Sequence, residues 1–171
     1  MPNRSSRCSA GGPLVFAYYP VKLAPSADAI EAAAAEFEEL MRRPGRRWSP
    51  TSWRLERRRF TRRLEAACAG KLEPVTHVKD IDRGAHEYLF EIRWDIGVLE
   101  HRDGRDVHST VPVRLYHAEP TTMTDVILGL HLHEKEVVEG DTAATNDLQD
   151  IEIDKAIERF HDGRPVKWGI V

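Results

Sequence analysis

Between residues 86 and 134 the chain alternates apolar and polar side chains in three successive runs. That is the period of a half-buried β-strand, not of a helix. "HEYLFEIRW" (86–94) sets Tyr88, Phe90 and Ile92 on one face and Leu89, Glu91 and Arg93 on the other. "VPVRLYHAE" (111–119) sets Val111, Val113, Leu115 and His117 opposite Arg114 and Tyr116. "DVILGLHLHEKE" (125–136) aims Val126, Leu128, Leu130 and Leu132 at a core and turns Ile127, Gly129, His131, His133 and Lys135 away. The stretch "EHRDGRD" (100–106) carries an Asp-Gly turn signal, which predicts a hairpin or a longer loop there. Three antiparallel strands are the expectation.

Helical patterns flank this block. "PLVFAYY" (13–19) has strand length and opens the fold. "PSADAIEAAAAEFEELMRRPG" (25–45) offers Ser26 as an N-cap and Pro44–Gly45 as a stop, with Ile30, Ala33, Ala34, Phe37, Leu40 and Met41 at helical spacing. A second helix begins near Ser49–Pro50 and runs to Gly70, burying Trp53, Phe60, Leu64 and Cys68. A last helix is predicted from about Asn146 to His161, with Ile153, Ala156, Ile157 and Phe160 as its apolar stripe. The tail "RPVKWGIV" is apolar enough to pack down. The order strand, helix, helix, three strands, helix predicts an α+β domain over 13–171, preceded by a disordered Ser/Gly/Arg-rich arm over 1–12. A chain of 171 residues is long enough to bury a proper core.

Several classes are excluded at this level. No run of about 18 apolar residues exists, so no membrane-spanning helix is expected. "MPNRSSRCSAGGP" lacks the apolar stretch of a signal peptide, so the cytoplasm is the default compartment. Cys8 and Cys68 argue for neither a disulfide framework nor a thiolate metal site. The net charge is −3, so nucleic-acid binding must come from a local patch. One such patch exists: Arg54, Arg57, Arg58, Arg59, Arg62 and Arg63 crowd the second helix. They are either a wet face paired with Glu31, Glu36, Glu38 and Glu39 of the first helix, or a surface that tracks phosphates. Arg54, Arg58 and Arg62, four apart, form the stripe expected to meet RNA or an acidic partner segment.

Two opening helices followed by "YLFEIRW", "VRLYHAE", "VILGLHLHEK" and "DIEIDKAIERF" resemble the RelE/HigB toxin superfamily. The likeness is nearest to its phage-derived HigB-like branch, and it covers roughly residues 13–163. The resemblance implies a small twisted antiparallel sheet with helices packed on it. It implies ribosome-dependent mRNA cleavage, without metal or other cofactor, restrained by a cognate antitoxin protein. A non-catalytic protein on the same fold, binding an antitoxin or a topoisomerase, is the alternative. Homo- and hetero-oligomers are both compatible with the resemblance.

Cleavage by an RNA's own 2′-OH needs a base, an acid for the leaving oxygen, and cations on the developing phosphorane. Carried over by position, Arg93 and Arg114 are the expected phosphate cations, and Tyr116 is expected to stack on a base or donate a proton. His131 and His133 are expected to supply base and acid near neutral pH. Lys135 stands where the family keeps a basic residue after its last strand. The sequence departs from the family in the acidic "EVVEGDTAATNDLQD", where the family is lysine-rich, and in a longer insert over 71–84. A rival reading makes His131, His133 and His117 metal ligands, though with no clearly placed carboxylate or cysteine to complete the shell.

Overall fold

The structure, a computed structural model, describes residues 4–19, 27–82 and 88–170. Among these the chain runs β1 (Val15–Tyr18), α1 (Ala27–Met41), β2 (Arg46–Arg47), α2 (Pro50–Cys68), β3 (Val78–Asp80), β4 (Leu89–Arg102), β5 (Arg105–Ala118), β6 (Val126–Glu134) and α3 (Thr142–Gly163). The class is α+β, with three helices on a mixed sheet of order β1-β6-β5-β4-β2, and β3 also pairs with β4.

The expected hairpin is there. Asp103 and Gly104 take positive φ of 51° and 76° and close a two-residue turn, whose twist matches its flanking strands. β4 and β5 then pair antiparallel from Arg102↔Arg105 to Leu89↔Ala118. The sheet is not wholly antiparallel, however. β1 runs parallel to β6, from Val15↔Val126 to Tyr18↔Gly129. It is joined to its neighbour by most of the chain, so no hairpin imposes an antiparallel sense. The two-residue β2 and three-residue β3 are too short to show a period, and the sequence pattern did not reveal them.

α1 and α2 cover one face of the sheet. Phe37, Phe60 and Trp94 stack there, at 4.4 Å and 4.7 Å between ring centroids. α2 starts where the sequence indicates, with Ser49 and Ser52 capping each other's backbone N–H and Pro50 following at once. α3 covers the opposite face through Ile153, Ala156 and Phe160. It begins at Thr142, before the expected Asn146, because Asp141 caps it by accepting from the Ala144 N–H at 2.9 Å. The "TAAT" of its first turn carries no large apolar residue to signal a start. The tail folds back, and Trp168 Nε1 donates to the Phe160 carbonyl at 2.9 Å. Ser26 and the 86–87 end of the first predicted strand lie outside the described residues.

Three further expectations are corrected. The arm over 1–12 is not disordered where it is described: Ser6 and Cys8 are buried, Arg7–Ser9 forms a 3-10 turn, and Cys8 O accepts from Leu72 N at 2.8 Å. Ser6 and Cys8 face polar partners rather than solvent, which composition does not reveal. Tyr88 leaves the Phe90 face and stacks on Phe160 at 4.1 Å, since it precedes β4 and is not bound by the pleat.

The third correction concerns β6. Tyr116 pairs with His131 but His117 pairs with Gly129, so Leu130 is an extra residue and the strand bulges. Beyond the bulge the faces exchange. Val126, Leu128 and Leu130 join the core under α3, whereas Ile127 and Leu132 join the core under α1 and α2. His131 and His133 therefore share a side with Val126 and Leu128 instead of opposing them.

Candidate functional site

The register of three strands builds a small grid. Across β4, β5 and β6 one row reads Arg93, Arg114, His133, and the next reads Glu91, Tyr116, His131. Residues two apart on a strand point the same way, so all six side chains share the α3 face. Lys135 follows just past β6, its backbone N–H donating to Pro112 O at 2.7 Å. It borders a 50 Å³ cavity with His133 and with Gln149 and Glu152 of α3. The five expected residues on and after the two strands thus come together, with Arg93 beside them.

They do not line an open concavity. α3 lies over them, and Tyr116, His131 and His133 are 0%, 8% and 6% exposed. The rings of His131 and His133 lie nearly parallel at 5.5 Å, with Tyr116 4.9 Å from His133. Arg159 of α3 donates to His131 Nδ1 at 3.2 Å, which leaves Nε2–H to donate to Glu152 at 2.5 Å. His133 Nδ1–H donates to its neighbour's carbonyl, Glu134 O, at 3.1 Å. Its Nε2 and the Tyr116 hydroxyl are buried without a well-formed hydrogen bond, though Gln149 is close enough to the hydroxyl to act on it electrostatically.

These surroundings set the titration. Burial, with His131 alongside, pushes His133 down to about 4. Burial also lowers His131 against the pull of Glu152, and burial raises Tyr116 with Glu91 adding to it. At neutral pH both imidazoles are neutral and the phenol is protonated. Neither histidine is a strong base, and the pair is not split into an acid and a base near pH 7.

The cations are occupied as well. Arg93 donates from Nε to Glu91 Oε1 at 2.8 Å and again from Nη2 to the same oxygen. Arg114 spends Nη1 on the carbonyls of Val113 and Trp94, and its Nε lies 4.0 Å from Glu91 Oε2. Glu91, 2% exposed, sits where an anion held by both arginines would sit. The sequence reading put Glu91 on this face without giving it a role. Glu152 and Arg159 were missed because nothing local signals that α3 lands on these strands.

The arginine helix divides. Arg57 pairs with Glu31 of α1 at 2.6 Å, and Arg59 pairs with Glu56 of its own helix at 2.9 Å. Arg63 lies over the Trp94 ring and donates to the Arg93 carbonyl. Arg54, Arg58 and Arg62 are exposed and make no ion pair among the described residues. The pairing with α1 therefore accounts for Arg57 and leaves the predicted stripe open to solvent. No helix among the described residues is long and apolar enough to cross a membrane.

Comparison with known proteins gives no match: no family model, no curated protein and no solved structure matches the chain.

Proposed function

We propose that the chain is a toxin-like component of a type II toxin–antitoxin pair, a RelE/HigB-like domain that acts by binding a partner. The order of β1, α1, α2, the β4–β6 meander and α3 supports the likeness, as does the pairing of Arg114 with His133 and Tyr116 with His131. One observation carries the binding mode. The polar face that would do the chemistry is covered by α3 and neutralised by Glu91 and Glu152, whereas Arg54, Arg58 and Arg62 stand uncovered. An acidic segment of the cognate antitoxin is the partner such a stripe suits.

A second reading is favoured by the convergence itself: a metal-independent, ribosome-dependent mRNA endonuclease. In it α3 moves aside and Arg93 and Arg114 exchange Glu91 for the scissile phosphate. His131 and His133 then exchange protons with the 2′-OH and the leaving oxygen, with Tyr116 and Lys135 beside them. Both modes act in the cytoplasm.

Induced expression, followed by growth and by primer extension on cellular mRNA, separates them. The binding mode predicts no new 5′ ends and no change on Arg114→Ala. It also predicts loss of a co-expressed antitoxin on Arg54→Glu, Arg58→Glu. Ribosome-dependent cleavage that disappears with Arg114→Ala overturns the binding mode in favour of the nuclease.

A further inference from the structure

On the far side of the sheet from the histidine pair, three side chains of different kinds meet in the interior. Cys8 comes from the 3-10 turn, and His117 and Glu119 come from the end of β5 and the residue after it. All three are buried. Cys8 Sγ lies 3.6 Å from His117 Nε2 and 3.7 Å from Glu119 Oε1, and Nε2 lies 3.2 Å from Oε1.

Those three lengths can be set against a tetrahedron. With Zn–S of about 2.3 Å and Zn–N and Zn–O of about 2.0–2.1 Å, tetrahedral angles give S···N and S···O edges of about 3.5 Å and an N···O edge of about 3.3 Å. The observed triangle has those edges to within about 0.2 Å. We propose that Cys8, His117 and Glu119 form a buried zinc site that fastens the N-terminal segment to β5. The donor set of one thiolate, one imidazole and one carboxylate suits Zn²⁺ better than a hard oxygen-seeking cation. The fourth position falls to a water, because the Ser6 hydroxyl, 2.5 Å from Oε1, is held as a donor to the carboxylate and is too close to it to be a second ligand.

The hydrogen-bond count points the same way. Without a cation, Glu119 Oε1 receives Ser6 Oγ at 2.5 Å and Cys8 Sγ at 3.7 Å, lies 3.2 Å from His117 Nε2, and shares the Arg7 N–H at 3.1 Å with Oε2 at 2.9 Å. Four polar groups then crowd one oxygen, which has two lone pairs. A cation at the centre of the triangle turns the sulfur and the imidazole nitrogen into ligands and leaves Ser6 and Arg7 donating to the carboxylate and fixing its orientation. A thiolate and a carboxylate also balance the charge of Zn²⁺, so the buried cluster is neutral. The site is closed to solvent and joins residues 109 apart in sequence, which makes its role structural.

The full-length protein, purified and stripped with chelator, is titrated with Co²⁺ and then with Zn²⁺. Tetrahedral thiolate ligation predicts one equivalent of Co²⁺ giving a near-ultraviolet sulfur-to-cobalt charge-transfer band and intense visible bands, both displaced by Zn²⁺. Cys8→Ser removes the charge-transfer band and Cys68→Ser keeps it. In parallel, Zn²⁺ raises the melting midpoint of the wild-type protein and not of Glu119→Gln. A folded wild-type protein that gives no charge-transfer band overturns the proposal and leaves a hydrogen-bonded cluster. A band that survives Cys8→Ser, or a wild-type melting midpoint indifferent to Zn²⁺, overturns it equally, whether or not the variants fold well.

Discussion

His133 should make this protein sensitive to mild acid. Its imidazole is 6% exposed, and burial holds it at about 4 against an ordinary value of 6.5. The unfolded chain therefore binds a proton at His133 that the folded chain refuses. Stability from this residue is complete above pH 6.5 and is lost as pH falls toward 4. At 1.36 kcal/mol per pH unit, the gap amounts to about 3 kcal/mol. His131, also lowered by burial, adds in the same direction.

Urea denaturation followed by tryptophan fluorescence, repeated from pH 7.5 to pH 4 on the wild type and on His133→Leu, reads this out directly. The wild type should lose about 3 kcal/mol more than the variant across the range. Because α3 is the lid on both rings, its amides should also show the earliest rise in hydrogen exchange on acidification, once corrected for intrinsic rates. Free-energy curves that stay parallel for the two proteins would refute the burial of His133 as the cause.

Gly129→Ala should destabilise the fold by about 1–3 kcal/mol. Its Cβ would come 2.8 Å from the Tyr18 ring and 2.9 Å from the Phe16 ring, and an unchanged denaturation midpoint would contradict that packing. Asp141→Ala removes the cap of α3 and should cost about 1 kcal/mol in the same assay, with helical content otherwise intact. Charge reversal at Arg58 and Arg62 should weaken partner binding measured by calorimetry, and the loss should shrink as salt rises. Binding indifferent to both the reversal and the salt would leave the stripe a solvated face.

What could be read in the sequence was whatever has a local cause. The Asp103–Gly104 hairpin, the Ser49 cap of α2, the alternation of β4 and β5 and the apolar stripe of α3 each need only their own neighbours to be recognised. What could not be read has causes distant in sequence. The placement of α3 over the histidines depends on Ile153, Ala156 and Phe160 finding Leu128 and Leu130, and nothing in "DIEIDKAIERF" states which face they seek. The parallel sense of β1 and the anchoring of Cys8 against β5 are likewise settled by partners about a hundred residues away. The β6 bulge is the instructive case. "LGLHLH" (128–133) alternates without a flaw, yet one extra residue at Leu130 exchanges the faces of everything after it. The histidines still reached Arg114 and Tyr116, but in the company of the α3 core.

The bulge also explains why the site is closed. Had β6 kept strict alternation, Leu132 would have stayed with Val126 and Leu128, and the histidines would have stood on the opposite side of the strand from that core. With the shift, the apolar end of β6 draws α3 onto the face that carries the polar end, and Glu152 and Arg159 arrive with it. The polar face then holds Arg93, Arg114 and Arg159 against Glu91 and Glu152, with Lys135 and Asp95 at its margin. An incoming phosphate must displace Glu91 from two guanidinium groups and Glu152 from His131 before it gains a contact. The three arginines on the outer side of α2 ask for no such exchange. In this conformation an anionic partner would meet them without displacing an ion pair among the described residues.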